Sequence, residues 1–185
     1  MKSLPREFYY SNTLQLAKNL LGMKIVRISN DKILSGIISE TEAYRASDDP
    51  ASHAYKKISN RNKPMFGEVG YAYVYFTYGM HFCFNVVGRS KNYKAGAVLI
   101  RSILPVDGID QMIKNRKIND LKNISNGPAK LTQALKISKE DNGIDLVNNS
   151  KLFITNGVTP EKITASPRIG ISVATEKKWN FKMIF

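Results

Sequence analysis

The chain is poor in cysteine and histidine, and these shortages exclude several kinds of site. Its 185 residues contain one cysteine and two histidines. A single cysteine allows neither an intramolecular disulfide nor a cysteine-rich zinc site. Cys83 stands in the apolar segment HFCFNV, where a small buried core residue is expected. Because His53 and His81 are the only imidazoles, we expect no metal site.

Long apolar runs, targeting signals and nucleotide motifs are also missing. No segment approaches the roughly 20 apolar residues of a membrane span. The first residues, MKSLPREFYYSNTLQ, lack the apolar centre of a signal peptide. The chain has no Gly-rich phosphate loop, no G-x-S-x-G segment and no H-x-E with a paired C-x-x-C. We therefore expect a cytoplasmic protein with no cofactor and no membrane partner, and not a zinc deaminase.

Acidic residues are few relative to basic ones. The chain has 28 Lys and Arg against 15 Asp and Glu, a net charge of +13 and a pI near 9.8. Such an excess favours a polyanionic partner such as nucleic acid, although a solvated lysine-rich surface gives the same number. The hydrophobic content of 43% is typical of a globular protein. The length predicts one domain over residues 1–185.

The pattern of apolar and turn residues predicts an α+β fold with mostly antiparallel strands. Helices are expected over 11–22, in DGIDQMIKNRKIND and from Pro128 onward. One hairpin is expected around NDK, and a second in YAYVYFTYGMHFCFNVV with its tip at Thr77-Tyr78-Gly79. Residues 96–106 predict another long strand. Shorter strands are expected in KLFIT, RIGISVA and KKWNFKMIF.

Two glutamates follow the apolar run ILSGII, and strand periodicity puts Glu40 and Glu42 on one face. Pattern alone favours two solvated residues at a strand end. A buried glutamate there would instead suit the work of a general base. The sequence leaves both interpretations open.

The segment from 45 to 77 combines a loop with a row of tyrosines. The loop of about 25 residues is basic and rich in turn residues, and loops of this length are usually functional or disordered. Tyr71, Tyr73 and Tyr75 share one strand face, which predicts either core packing or a stacking platform for bases. Lysines and arginines on either side of the tyrosine hairpin either form a solvated surface or bind phosphates of a nucleic acid. Lys130, in a predicted first helical turn, is a weaker anion-site candidate.

Four segments together closely resemble the alkyladenine (3-methyladenine, N-methylpurine) DNA glycosylase family: ETEAYRASDDPASHAY, NRNKPMFGEVGYAYVYFTYGMHFCFNVV, GAVLIRSILP and NGPAKLTQALKI. The resemblance covers nearly the whole chain. It implies a curved, open-barrel-like antiparallel sheet with packed helices and a protruding hairpin. It also implies a monomeric, monofunctional enzyme of base excision repair, nucleoid-associated in a bacterium. Such an enzyme removes alkylated or deaminated purines, such as 3-methyladenine, 7-methylguanine, hypoxanthine and ethenoadenine, from double-stranded DNA.

The resemblance also implies a role for particular residues. Glu42 matches the catalytic general base, and Arg101 matches a residue that positions the water and contacts a backbone phosphate. The matches to the base pocket are Tyr44, His53, Tyr75 and Asn85. The matches to the wedge that enters the duplex are Tyr78 and Met80. The matches to the phosphate contacts are Arg61, Lys63 and Lys130.

The sequence departs from the family pattern at a few positions. Lys57 and Ser59 stand near the places of an expected glycine and threonine, and Asn180 stands where relatives usually have an arginine. Two other functions stay open. One is a non-catalytic basic protein that binds nucleic acid or ribosomes, and the other is a glycosidase that acts on RNA or free nucleosides.

Overall fold

The computed structural model describes residues 1–77 and 79–184, and its frame is a curled antiparallel sheet. Within these residues the strands are β1 Lys24–Ser29, β2 Lys32–Arg45, β3 Ala72–Thr77, β4 His81–Val87, β5 Gly96–Asp107, β6 Leu152–Thr155, β7 Lys162–Ser166 and β8 Asn180–Ile184. Their main order is β3-β4-β5-β2-β1-β6, and β8 pairs with both β2 and β7. The mixed α and β composition and the antiparallel half-barrel confirm the predicted fold class.

The long strand β2 organises the sheet. It pairs with β5 along most of its length, with β1 over its first half and with β8 over Glu40–Glu42. The register against β5 shifts between Ile38 and Glu40 and again between Glu40 and Thr41. Because a bulge bends its strand, β2 curls here and passes from β1 to β8 as its second neighbour. Glu40 and Glu42 therefore lie at the bend.

Both predicted hairpins form between the expected strands. Asn30 and Asp31 connect β1 to β2 with φ of 49° and 59°, and Ser29 pairs with Lys32 across them. Positive φ at both central residues is the mark of a type I′ turn, which matches the twist of the flanking strands. The second hairpin pairs β3 with β4 from Ala72↔Val86 to Thr77↔His81. Its predicted tip residue Tyr78 lies outside the described residues.

Helices form in the three segments where the sequence predicts them, and a short helix that it does not predict precedes them. They are α1 Arg6–Tyr9, α2 Thr13–Asn19, α3 Ile109–Arg116 and α4 Pro128–Ala134. The side chain of Asn12 accepts a hydrogen bond from the N–H of Leu14 and so caps α2. Helix α2 packs on β2 and β5, and α4 packs on β4 and β5. The main core fills the space between these layers with side chains such as Leu16, Ile38, Phe84, Ile100 and Leu131.

The strand predicted in RIGISVA is wrong. Residues 168–174 form a loop, and the strand before β8 is Lys162–Ser166 instead. Arg168 turns inward to a buried ion pair with Asp49, and Gly170 and Ala174 have φ of +78° and +53°. Positive φ interrupts the extended backbone, so contacts distant in sequence override the β-prone composition of this segment. Among the described residues, no helix has both the length and the apolar character to cross a membrane.

Candidate active site

A cavity of about 390 Å³ opens beside the bend of β2. Its walls come from β2 to β5, from the loop before β3 and from the loop after β7. The lining includes six predicted site residues, Tyr44, His53, Arg61, Tyr75, Asn85 and Arg101. Its volume falls within the range of small-molecule sites. The structure therefore brings together residues that the sequence separates by up to 57 positions, from Tyr44 to Arg101.

Aromatic side chains form one side of this cavity. The rings of Tyr73 and Tyr75 lie 5.3 Å apart, and the His53 ring meets Tyr75 edge-on at 4.7 Å. Nδ1 of His53 and the hydroxyl of Tyr73 share a hydrogen bond of 2.9 Å. Tyr73 is buried in a second core cluster, whereas Tyr75 is only partly buried and faces the cavity. Core packing is therefore confirmed for Tyr73, which also lines the cavity, whereas the stacking of a base on Tyr75 stays a prediction.

Glu42 lies directly behind the cavity wall, and its side chain is completely buried. Its Oε2 accepts hydrogen bonds from the Tyr44 hydroxyl at 2.8 Å and from Nη1 of Arg101 at 3.4 Å. Its Oε1 accepts from the backbone N–H of Ile169 at 2.8 Å and from Nδ2 of Asn180 at 3.0 Å. The solvated strand-end interpretation is therefore wrong for Glu42. Four donors instead compensate the desolvation of its charge.

The second glutamate of the pair lies on the same side of β2. Oε1 of Glu40 accepts a hydrogen bond from Nε of Arg101 at 3.0 Å and one from Nδ2 of Asn180 at 2.7 Å. Nζ of Lys182 lies 3.6 Å from the same oxygen. Arg101 and Asn180 thus each contact both Glu40 and Glu42, as the shared strand face predicts.

The tyrosine hydroxyls in the cavity are hydrogen-bond donors at neutral pH. Burial raises the pKa of Tyr44, and the negative charge of Glu42 raises it further. Burial also raises the pKa of Tyr75, and it raises the pKa of Tyr73 to about 12. Desolvation lowers the pKa of His53, and the positive charge of Arg61 adds to this effect. The imidazole is therefore neutral at pH 7.

We expect the titration of His53 to respond to Arg61. In a histidine NMR titration of the wild-type chain, His53 should titrate below the ordinary value of about 6.5. Arg61→Ala should raise this midpoint, because it removes a cation that disfavours the imidazolium. Lys130→Ala, which removes a cation held by Asn123 and Asn126, should leave it unchanged. If Arg61→Ala leaves the titration midpoint of His53 unchanged, the result would contradict the placement of Arg61 beside His53.

The structure adds residues that the sequence did not single out. Arg168 and Asp49 form an ion pair of 2.6 Å with both side chains completely buried. The Arg168 guanidinium also lies 4.5 Å from the centre of the Tyr44 ring and 5.1 Å from that of Trp179. The pair ties the loop after β7 to the loop after β2 behind a cavity wall. The one available signal was the acidic Asp48-Asp49 pair inside a basic loop.

The predicted wedge and phosphate residues are only partly placed at the cavity. Arg61 lines it, with its guanidinium 5.3 Å from the centre of the Tyr75 ring. Lys63 is exposed in the short 3₁₀ helix Lys63–Phe66, and Lys130 contacts asparagine side chains outside the cavity lining. Met80 is 68% exposed in the turn of the β3–β4 hairpin, directly before β4. Nothing is described for its neighbour Tyr78.

No group of three or more His, Cys, Asp or Glu side chains that could hold a metal ion occurs in residues 1–77 and 79–184. The cavity instead has aromatic walls and two arginines, Arg61 and Arg101, and the buried Glu42 carboxylate lies behind one wall. Aromatic walls suit the flat faces of nucleobases, and arginines suit phosphates. These features are the ones that a site for a nucleobase attached to a polyanionic backbone requires.

Comparisons with known proteins give the family. The family model described as methylpurine-DNA glycosylase matches residues 7–184. A protein of Carboxydothermus hydrogenoformans is 47% identical over 180 residues, which cover 96% of this chain and 93% of the relative. A protein of Chlorobaculum parvum is 43% identical over 181 residues, or 97% and 86%. Both carry the name "Putative 3-methyladenine DNA glycosylase".

This chain belongs to the methylpurine-DNA glycosylase family. It is therefore a monofunctional DNA glycosylase of base excision repair, an enzyme that hydrolyses N-glycosyl bonds in DNA. This confirms the resemblance found in the sequence. The family membership also favours an enzyme over a basic protein that only binds nucleic acid.

Proposed function

We propose that the chain removes alkylated and deaminated purines from duplex DNA, with the damaged base held in the cavity beside Tyr44 and Tyr75 and with Glu42 as the general base. The buried Glu42 carboxylate, held by three residues of the cavity wall, carries this proposal. The substrates are those of the 3-methyladenine, 7-methylguanine, hypoxanthine and ethenoadenine class.

The damaged nucleotide must leave the duplex before it can react. Its C1′ atom is inaccessible inside a stacked helix, and extruding a nucleotide costs a few kcal/mol. Phosphate contacts and an apolar wedge offset this cost. We assign these tasks to Arg61, which lines the cavity, and to Met80, which is exposed on the hairpin. We assign Tyr78 to the wedge on the basis of the family resemblance.

The aromatic walls favour electron-poor purines. Methylation at N3 or N7 gives the purine a positive charge, and each well-placed aromatic face attracts such a ring by roughly 0.5–2 kcal/mol. Tyr44 and Tyr75 line the cavity, and the neutral His53 adds no positive charge beside them. The Arg61 guanidinium, 5.3 Å from the centre of the Tyr75 ring, is a positive charge that opposes a cationic purine until it pairs with a phosphate. Asn85 lies in the same wall with Nδ2 donating to the Tyr73 carbonyl at 2.9 Å. Its orientation is therefore fixed, as a residue that screens purine edges requires.

Glu42 supplies the base for hydrolysis. A water beside Oε2 gives its proton to the carboxylate while the water oxygen bonds to C1′. The bond from C1′ to the purine nitrogen breaks, and its electron pair leaves with the purine. A cationic purine departs neutral, so it needs no strong acid, whereas hypoxanthine departs as an anion and takes a proton from a second water. Arg101 orients the water, and the product is an intact abasic site.

The proposal is tested with duplex oligonucleotides that each carry one hypoxanthine, ethenoadenine, 3-methyladenine or 7-methylguanine. After incubation with the full chain, alkali should cleave the strand at the lesion and nowhere else. Strands that stay intact with every lesion would overturn the proposal. The same lesions in single strands and as free nucleosides are the control. Equal release from nucleosides would favour the glycosidase of RNA or nucleosides instead.

The hairpin should contribute to duplex binding through Met80. We expect Met80→Ala to weaken binding of a lesion duplex severalfold, because an apolar wedge helps to offset the cost of unstacking. Leu121→Ala is the matched control, since Leu121 is 61% exposed on a separate 3₁₀ helix, Leu121–Asn123. A titration followed by fluorescence anisotropy compares the two variants. If Met80→Ala binds the lesion duplex as tightly as Leu121→Ala does, the result would contradict a role of Met80 on the hairpin in binding.

A further inference from the structure

Asn180 joins the two carboxylates behind the cavity. It is completely buried on β8 and pairs directly with Glu42 of β2. Its Nδ2 donates to Oε1 of Glu42 at 3.0 Å and to Oε1 of Glu40 at 2.7 Å. Because an amide nitrogen carries two hydrogens, this one group satisfies both acceptors at once. Asn180 therefore fixes the spacing of the two glutamates across the β2–β8 pairing.

Glu40 contacts a different nitrogen of Arg101 from the one that Glu42 contacts. Nε of Arg101 lies 3.0 Å from Oε1 of Glu40, whereas Nη1 lies 3.4 Å from Oε2 of Glu42. The shorter contact with Glu40 sets the direction of the guanidinium plane. A planar guanidinium presents its donors in a rigid fork, so fixing Nε also fixes where Nη1 points. Arg101 thus reaches Glu42 and the cavity with one defined geometry.

The two oxygens of Glu42 consequently differ in their surroundings. Oε1 is held by the backbone of Ile169 and by Asn180. Oε2 is held by Tyr44 and Arg101, both of which line the cavity. An ionised carboxylate has about four acceptor sites, and the contact of Oε2 with Arg101 is the longest of the four. Ile169 also lines the cavity, so each oxygen has a donor in the cavity wall, but only for Oε2 do both donors line it.

We infer that Asn180 and Glu40 are positioning residues for hydrolysis. They hold Glu42 and Arg101 so that Oε2 and the guanidinium meet the same water, and neither touches the substrate. This inference rests on the proposed function and goes beyond it by naming the residues that orient Glu42. The cost of losing such positioning falls on the chemical step, because a misplacement of about 1 Å lowers a rate by about 100-fold.

The test uses Asn180→Leu, which keeps the approximate shape of the side chain and removes both donated hydrogen bonds. The matched control is Asn115→Leu on α3, where the same change removes a hydrogen bond of 2.8 Å to the Ala134 carbonyl. Single-turnover release of hypoxanthine, affinity for the lesion duplex and thermal unfolding are measured for each. For Asn180→Leu we expect release to slow by about 10- to 100-fold with affinity unchanged. Asn115→Leu should release the base as the wild type does.

The outcomes separate this inference from the proposed function. Equal release by the wild type and Asn180→Leu would overturn the positioning role alone. A parallel loss of rate, affinity and thermal stability would assign Asn180 a structural role and also overturn it. If Asn180→Leu fails to fold, the same release rate and duplex affinity are measured for Glu40→Ala, whose side chain is partly exposed, at 14%. Slower release at unchanged affinity would support the positioning role, and unchanged release would overturn it. A wild type that releases no base from any lesion overturns both.

Discussion

Glu42→Gln is expected to slow base release by about 10²- to 10⁴-fold, the usual contribution of a general base, while the lesion duplex still binds. A glutamine keeps an oxygen for the N–H of Ile169 and the amide of Asn180. It has no charge with which to take a proton from water. Because Glu42 lies behind the cavity wall, the change does not alter the aromatic surface that contacts the damaged base. Single-turnover release and duplex affinity are the measurements.

Glu68→Gln is the control for this change. Glu68 is an exposed residue that accepts a hydrogen bond from the Tyr10 hydroxyl and is not part of the cavity lining. The same chemical substitution there should leave release unchanged. Retention of the wild-type rate by Glu42→Gln would show that another group activates the water. A loss of duplex affinity in proportion to the rate would point to a collapsed cavity instead.

The largest effect on stability is expected from the buried ion pair behind Tyr44. Arg168→Met should lower the free energy of unfolding by about 3–5 kcal/mol, because it leaves Asp49 charged and unpaired in the interior. Both side chains are completely buried, and Arg168 also donates to the Ala43 carbonyl at 2.9 Å. Urea unfolding measures the change. The double variant Arg168→Met with Asp49→Leu should recover much of the loss, since no uncompensated charge remains.

A surface pair provides the comparison. Lys139 and Glu140 lie 3.9 Å apart with side chains that are 81% and 68% exposed. Lys139→Met should change the free energy of unfolding by no more than about 0.5 kcal/mol. An equally small change for Arg168→Met would contradict the buried pair. It would also remove the basis for treating the loops after β2 and β7 as one supported wall.

Local periodicity accounts for the parts of the site that were predictable from residue patterns. Alternation along a strand places Glu40 with Glu42, and Tyr73 with Tyr75, on shared faces. The two hairpins follow from β-prone runs separated by short turn segments. The roles of Tyr44, His53, Asn85 and Arg101 came from the family resemblance, since no pattern of spacing relates them to one another.

The remaining supports of the site were beyond local patterns. Arg168 meets Asp49 across 119 residues of sequence, and neither residue signals the other. Ile169 contributes a backbone N–H, which every residue except proline possesses. Asn180 departs from the family pattern, yet its bridging of two carboxylates depends on the pairing of β8 with the bend of β2. Such contacts require the tertiary fold.

The most direct test of the account is the structure of Glu42→Gln bound to a duplex that carries one ethenoadenine. We expect the damaged base outside the helix, in the cavity against Tyr44 and Tyr75, with a water between residue 42 and the C1′ atom of its sugar. Arg101 should contact the same water. A base that stays stacked in the duplex, or one that binds away from this cavity, would contradict the account.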